Sequence, residues 1–433
     1  MSKILKLILL FILITSCSLD KKTGFWSKPE KIKKNENYIV EELFKDEEKF
    51  NREFNPNFKI KLSKNLEQKK INNLTNNSGK INYHGKLKTL SKFKYSKIDN
   101  FDKFEPDIIF NKKNIIFFDN KGTVLKFDEN SKLLWKKNYY SKSQKKVGPL
   151  LNLASDKNYL IVTDNMANYY AININNGNLL WTKKNSAPFN SQIKIYKNKF
   201  YTVDFQNVLR CYSLKDGLEL WNVKTESSFI KSQKKLSLII SDEKVVFINS
   251  IGDVSAVDIN TGKLIWQTPT QISSIYESSF NLKSSDLIVD NKSILFSNNN
   301  NEFYSLNIGN GILNWQHEIN SSVRPVSIDN LIFTVSNEGF LIIIDQEKGN
   351  IIRISNIYNN IKQKKRSKIF PIGFVVGKNN IYLTLSNGRL IVVDIETGKP
   401  NLMLKIDNEK ISRPIILDNN LFIIKNNSII KFD

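Results

Sequence analysis

The chain has 433 residues, 40% of them hydrophobic, which is enough for a sizeable core and excludes a disordered protein. Two cysteines exclude a disulfide-dense scaffold. A formal net charge of +23 invites a nucleic-acid reading, but Lys and Asn are abundant everywhere and no helix-turn-helix, zinc-ligand or ribonucleoprotein pattern accompanies them. The charge therefore reads as compositional bias with no nucleic-acid partner, and attraction to an anionic membrane surface or acidic partner has only weak support from so dispersed a distribution.

At the N-terminus, Lys3 and Lys6 precede the apolar run Leu7 to Ile14, and Thr15, Ser16 and Cys17 follow. This is the layout of a secretory signal with its cleavage region, and the run is too short to span a bilayer comfortably. The stretch "ITSC" resembles the lipobox of bacterial lipoproteins. That resemblance implies removal of residues 1–16 as a lipoprotein signal peptide and lipidation of Cys17, with several acyl chains giving firm anchoring. Ser18 in place of Asp implies the outer membrane. Only Cys211 then remains, so no intramolecular disulfide is possible and stability rests on packing. Cys211, in the alternating "NVLRCYSL", reads as a small buried core residue.

Residues 17–78 are rich in Lys, Asn and Glu, as in "KPEKIKKNEN" and "KNLEQKKINN", and read as a polar tether. Within them "YIVEELFKDEEKF" suits either a short helix or a solvated stretch. From about Lys80 the pattern changes to short alternating apolar runs separated by Asn, Asp, Gly and Ser, the mark of an all-β domain over 79–433.

The chain then repeats itself. "KFDENSKLLWKK", "AININNGNLLWTK", "CYSLKDGLELWNV", "AVDINTGKLIWQT" and "SLNIGNGILNWQH" place Trp135, Trp181, Trp221, Trp266 and Trp315 at the same point of one motif. Two degenerate copies put Arg353 and Leu402 there, and the seven positions recur every 38 to 49 residues, about what a four-stranded propeller blade needs. Each unit has an upstream half with two more turns, as in "PVSIDNLIFTVSNEGFLIIID". Arg413 to Asp433 supplies three strands and stops one short. The segment Ile81 to Ser96 is the natural donor of the missing strand, which closes the ring and removes two open edges. The sequence thus predicts an eight-bladed β-propeller of four-stranded antiparallel blades, the last built from both ends of the chain.

In "AVDINTGKLIW", Val257, Ile259 and Leu264 are expected to face the space between blades. Gly262 suits a turn needing positive φ, and Asp258 can bond to the turn amides. Each Trp has the area to lie across the next blade while its N–H finds a carbonyl, so the five tryptophans read as structural docking residues. Loss of Trp at Arg353 and Leu402 predicts weaker blade contacts there.

These motifs resemble the repeats of pyrroloquinoline-quinone-type eight-bladed propellers. Together with the lipobox, tether and split last blade, the chain is similar to the lipoproteins of the outer-membrane β-barrel assembly machinery. The resemblance covers about Ile81 to Asp433 and the signal; the long 17–78 segment departs from shorter-tethered members. It implies a non-catalytic scaffold, monomeric within a complex, held by lipid at the periplasmic face of the outer membrane. It also implies a partner, the periplasmic domains of the barrel-inserting subunit, contacted through loops between middle blades. The corresponding connections here are "KTESSFIKSQKK" and "ISSIYESSFNLKSSD". Where the family has a Leu-x-Leu-Arg run this chain has Ile230, Ser232 and Gln233, and only Ile230 keeps the chemistry. Phe229, Ile230, Gln233, Tyr276 and Phe280 are the partner-binding candidates; the aromatic and aliphatic ones suit either an exposed anchor or a loop folded over a blade edge.

The same superfamily includes quinone-dependent dehydrogenases, whose resemblance would imply a vicinal cysteine pair, a Ca²⁺ and an Asp base. This chain has no such pair. Its acids are mostly turn residues such as Asp258, Asp345 and Asp394. His84 and His317 do not form a metal-ligand pair by spacing, and no nucleophile elbow or P-loop is present. The expectation is no enzyme, no cofactor and no metal site. A propeller binding module for a polysaccharide or another envelope partner stays open, because propeller faces are generic platforms.

Overall fold

The computed structural model describes residues 53–62, 74–99, 101, 104, 106–226, 234–270, 284–298 and 301–433. Within them the strands form eight four-stranded antiparallel sheets. In blades 1 to 7 the strands follow one another in the chain, spanning 109–137, 151–184, 194–224, 238–268, 288–318, 326–356 and 371–405. The eighth sheet joins Ile415–Leu417, Asn420–Lys425 and Ser428–Phe432 to Thr89–Lys94, which forms its outer edge with Phe93 opposite Ile429. The inner strand is the first one in blades 1 to 7 and Ile415–Leu417 in blade 8.

The middle strands are apolar almost without interruption, as in Leu331–Val335 and Phe340–Asp345, because each blade is covered by neighbours on both faces. Outer strands show alternating exposure, since the blades diverge towards the rim. That geometry corrects one sequence expectation: Val257 and Ile259 are buried, but Leu264, on the rim strand, is 49% exposed.

The turns follow from the residues at them. In five blades the first hairpin places two consecutive residues in the left-handed region, such as Asp329 and Asn330 at φ 50° and 64°, the requirement of a tight turn matching strand twist. In the third hairpin of blade 4, Asp258 accepts from the amides of Asn260 (3.0 Å) and Thr261 (2.7 Å). A bulge between Ala256 and Val257 then sets the register of the rim strand, and the same shift recurs in the other six blades of this form.

Between blades, each indole lies over the turn glycine of the next repeat. Trp266 Nε1 donates to the carbonyl of Ile308 (3.1 Å), and a Cβ on Gly311 would lie 2.5 Å from the Trp266 ring. Trp135, Trp181 and Trp315 donate in the same way to Asn175 (3.0 Å), Leu214 (3.2 Å) and Gln346 (3.0 Å). Trp221 lies over Gly262, but its buried Nε1 makes no hydrogen bond. The repeated glycine is thus required twice, for its positive φ and for the ring above it.

The expectation of a weak contact at Arg353 is overturned. Arg353 is fully buried, lies over Gly398, and donates to Ile395 O (2.9 Å) and Glu396 O (2.5 Å) of blade 7. Burial lowers its pKa to about 10, and its carbonyl partners supply the compensating contacts. Leu402 is 44% exposed and does not dock.

Residues 53–62 and 74–78, inside the stretch read as tether, lie against the ring. Phe54 bridges Ile354 through both main-chain hydrogen bonds (3.1 and 2.9 Å) on the rim of blade 6. Leu74 and Thr75 offer carbonyls to Ile240 (2.9 Å) and Val289 (3.0 Å) on inner strands of blades 4 and 5, and Ile81 reaches Val376 of blade 7 (2.9 Å).

Candidate functional site: the channel and the face of the interblade connections

In a blade of four antiparallel strands, the link to the next blade and the middle hairpin fall on one face, and the other two turns on the opposite face. The repeated turns, from Asp258 to Gly262 in blade 4, therefore occupy one face, and the connections that vary between blades occupy the other. Two of those connections carry the sequence-predicted contacts. Phe229, Ile230, Gln233, Tyr276 and Phe280 lie outside the described residues, as does Cys17.

The roots of both connections are described. Thr225 Oγ1 donates to Asn207 O (3.1 Å), and Glu226 O accepts from Asn207 Nδ2 (2.7 Å). Thr270 Oγ1 donates to Gly252 O (2.7 Å), and Thr270 O accepts from Asn298 Nδ2 (2.7 Å). Both connections leave from a rim strand at a fixed point and return to the channel, at Lys234 and Lys235 and at Ser284 to Asp286.

The channel they return to is charged. A cavity of about 390 Å³ is lined by Lys194, Lys234, Arg324, Arg413, Asp107 and Asp286, among others. The Asp286 carboxylate accepts from Arg324 Nε (2.9 Å) and Arg413 Nη1 (3.0 Å), and Asp107 pairs with Lys235. Burial opposes ionisation of Asp286, but the charges of Arg324, Arg413 and Lys234 outweigh it and hold the carboxyl far below the usual range. Asp107 is lowered likewise against its burial by Lys235 and Arg413. Lys194 is buried, donates to Asn76 Oδ1 (2.6 Å), and is pushed down to about 7 by burial and by the Arg324 charge. Sequence reasoning missed this ring of charges, because its members come from six blades with no local motif.

The acids weighed as possible bases are engaged in turns. Asp345 accepts from Lys348 N (2.7 Å), and Asp394 from Thr397 N (2.8 Å) and Oγ1 (2.7 Å), as Asp258 does in its own turn. His317 bonds to the Gly349 carbonyl beside Trp315, and His84 lies in the segment before the closing strand. Cys211 is fully buried, with its thiol pushed up to about 12 by burial. Among the described residues no three His, Cys, Asp or Glu side chains are grouped as metal ligands would be.

No curated protein matches the sequence. Among solved structures the chain is similar to BamB from Moraxella catarrhalis, with a TM-score of 0.64 at 11% identity over 80% of this chain and 100% of that one. It is also similar to the computationally designed Ika8 protein, with a TM-score of 0.60 at 13% identity over 78% of this chain and 99% of that one. Sqt1 from Saccharomyces cerevisiae follows, with a TM-score of 0.58 at 10% identity over 82% of this chain and 98% of that one. At these identities the likeness is one of fold. A family model described as outer membrane protein assembly factor BamB matches residues 120–355, from the second hairpin of blade 1 to the rim strand of blade 6. That match covers more than half of the chain, including all five docking tryptophans and the whole of blades 2 to 5, and the chain belongs to the BamB family.

Proposed function

We propose that this protein is a non-catalytic scaffold lipoprotein of the outer-membrane β-barrel assembly machinery. Residues 1–16 are removed, Cys17 carries the lipid, and the ring is held at the periplasmic face of the outer membrane. It binds the periplasmic domains of the barrel-inserting subunit through the connections after Trp221 and Trp266, with Phe229, Ile230, Gln233, Tyr276 and Phe280 as contacts. The family match carries this reading. The roots of these adjacent connections support it, since Thr225, Glu226 and Thr270 are each held to the blades by hydrogen bonds.

A scaffold role accords with the chemistry of the channel. A Ca²⁺ does not fit it, because Asp286 is committed to Arg324 and Arg413 and Asp107 to Lys235, which leaves a cation-rich lining. Affinity purification of the tagged chain from solubilised membranes tests the proposal. Recovery of the barrel-inserting subunit supports it; recovery of another envelope protein or a polysaccharide instead contradicts it. For the anchor, Cys17→Ser is expected to move the protein from the membrane to the soluble fraction.

A further inference from the structure

We propose that residues 53–62 and 74–87 form a built-in clamp on two of the three blade junctions that lack a docking tryptophan, those between blades 6 and 7 and between blades 7 and 8, and that Arg353 is the residue that captures it. Blades 1 to 5 each present an indole to the next blade. Blades 6 and 7 present Arg353 and Leu402, and these are the junctions the N-terminal lead visits.

At the first, Phe54 pairs with Ile354, Asn55 Nδ2 donates to Ile352 O (3.2 Å), and Ile60 N donates to Glu396 O (3.0 Å) across the gap between blades 6 and 7. Ile60 is buried in the core shared by those blades. An indole has one N–H, but a guanidinium has five in a planar fork. Arg353 therefore keeps the bond to Ile395 that an indole would make, and Nη1 also donates to Phe58 O of the lead (3.0 Å). At the second junction Tyr83 is buried edge-on against Tyr382 of blade 7, 5.0 Å between centroids, with its hydroxyl on the carbonyl of Asp433 of blade 8. Its own carbonyl accepts from Lys378 N (2.9 Å). Between the two, Asn76 Nδ2 lies within 3.0 Å of both Gln192 Oε1 and Leu287 O inside the channel.

The arrangement has a mechanical consequence. Thr89–Lys94, the strand that completes blade 8, follows the lead directly, and a pull on the lead would peel it from Ser428–Phe432 one ladder bond at a time. A lead held at Phe54, Ile60, Asn76 and Tyr83 passes that pull to blades 6 and 7 before it reaches the closing strand. The load role rests on the proposed lipid anchor; the clamp does not.

Hydrogen exchange on the full chain tests the clamp whether or not Cys17 is acylated. In Arg353→Trp, peptides covering 53–62 should exchange at least about tenfold faster, while blade 6 and 7 core peptides keep the wild-type rate, because the indole restores blade docking. Phe54→Pro removes a rim bond at an exposed side chain and should release 53–62 in the same way, which guards against misfolding of the first variant. Unchanged protection of 53–62 in both variants would overturn the clamp. For the load role, force applied between the N-terminus and Asp433 should give a separate early step for the lead in wild type and none in Arg353→Trp. Identical traces would overturn the load role, whereas retention of Cys17→Ser on membranes would count against the anchor alone.

Discussion

Trp266 and Gly311 show how single residues hold this ring. Gly311 has φ +73° and lies directly under the Trp266 ring, so Gly311→Ala should cost about 2–3 kcal/mol, from left-handed strain and the clash together. Trp266→Ala should cost about 2–4 kcal/mol, less than full burial would give because the indole is half-buried. In the double mutant the clash disappears, so the two costs should add to less than their sum in denaturant titrations. Both residues were legible in the sequence as members of one motif. That each Trp meets the glycine of the following repeat, rather than its own, is a tertiary fact the motif does not contain. Lys194 makes a second prediction. Its folded pKa of about 7 lies below the unfolded value of about 10.4, so the unfolded state binds more protons between them. Stability should therefore rise from pH 7 to about 10, and Lys194→Met should flatten that rise in thermal melts across the range.

Among the elements, the closing sheet depends most on distant parts of the chain. The three C-terminal strands, one short of a blade, pointed to a donor within Ile81 to Ser96, and Thr89–Lys94 lies on Ser428–Phe432 in the structure. Truncation after Asn408 removes every partner of that strand and exposes the apolar face of blade 7. Loss of cooperative unfolding and of near-UV signal is expected, while a truncated chain that melts like wild type would contradict the ring's dependence on this sheet. The degenerate sixth repeat was legible only as a defect. Arg353 looked like a lost contact because its lead partner, Phe58, is 295 positions away, and its role depends on a main-chain carbonyl, which leaves no trace in side-chain patterns. Asn76 was hidden for the same reason, since it reads as one more polar residue in a Lys- and Asn-rich segment.

At the scale of the whole molecule, the repeated turns build the ring and the unrepeated connections are free to differ. The regular face is committed to docking and turn formation. The opposite face carries the connections after Trp221 and Trp266, rooted at Thr225, Glu226 and Thr270, and leads into the charged channel. Repeat number, blade size and family were legible because apolar periodicity and turn chemistry are local. The channel charges were not, because Asp107, Lys194, Lys235, Asp286, Arg324 and Arg413 meet only when the ring closes. The most direct measurement of the scaffold reading is site-specific photocrosslinking from Ile230 in intact cells, followed by identification of the captured protein. The predicted result is a crosslink to the barrel-inserting subunit that is lost when Phe229 and Tyr276 are replaced by Asp. Reproducible absence of that subunit from the captured material, with the protein folded and at the membrane, would contradict it.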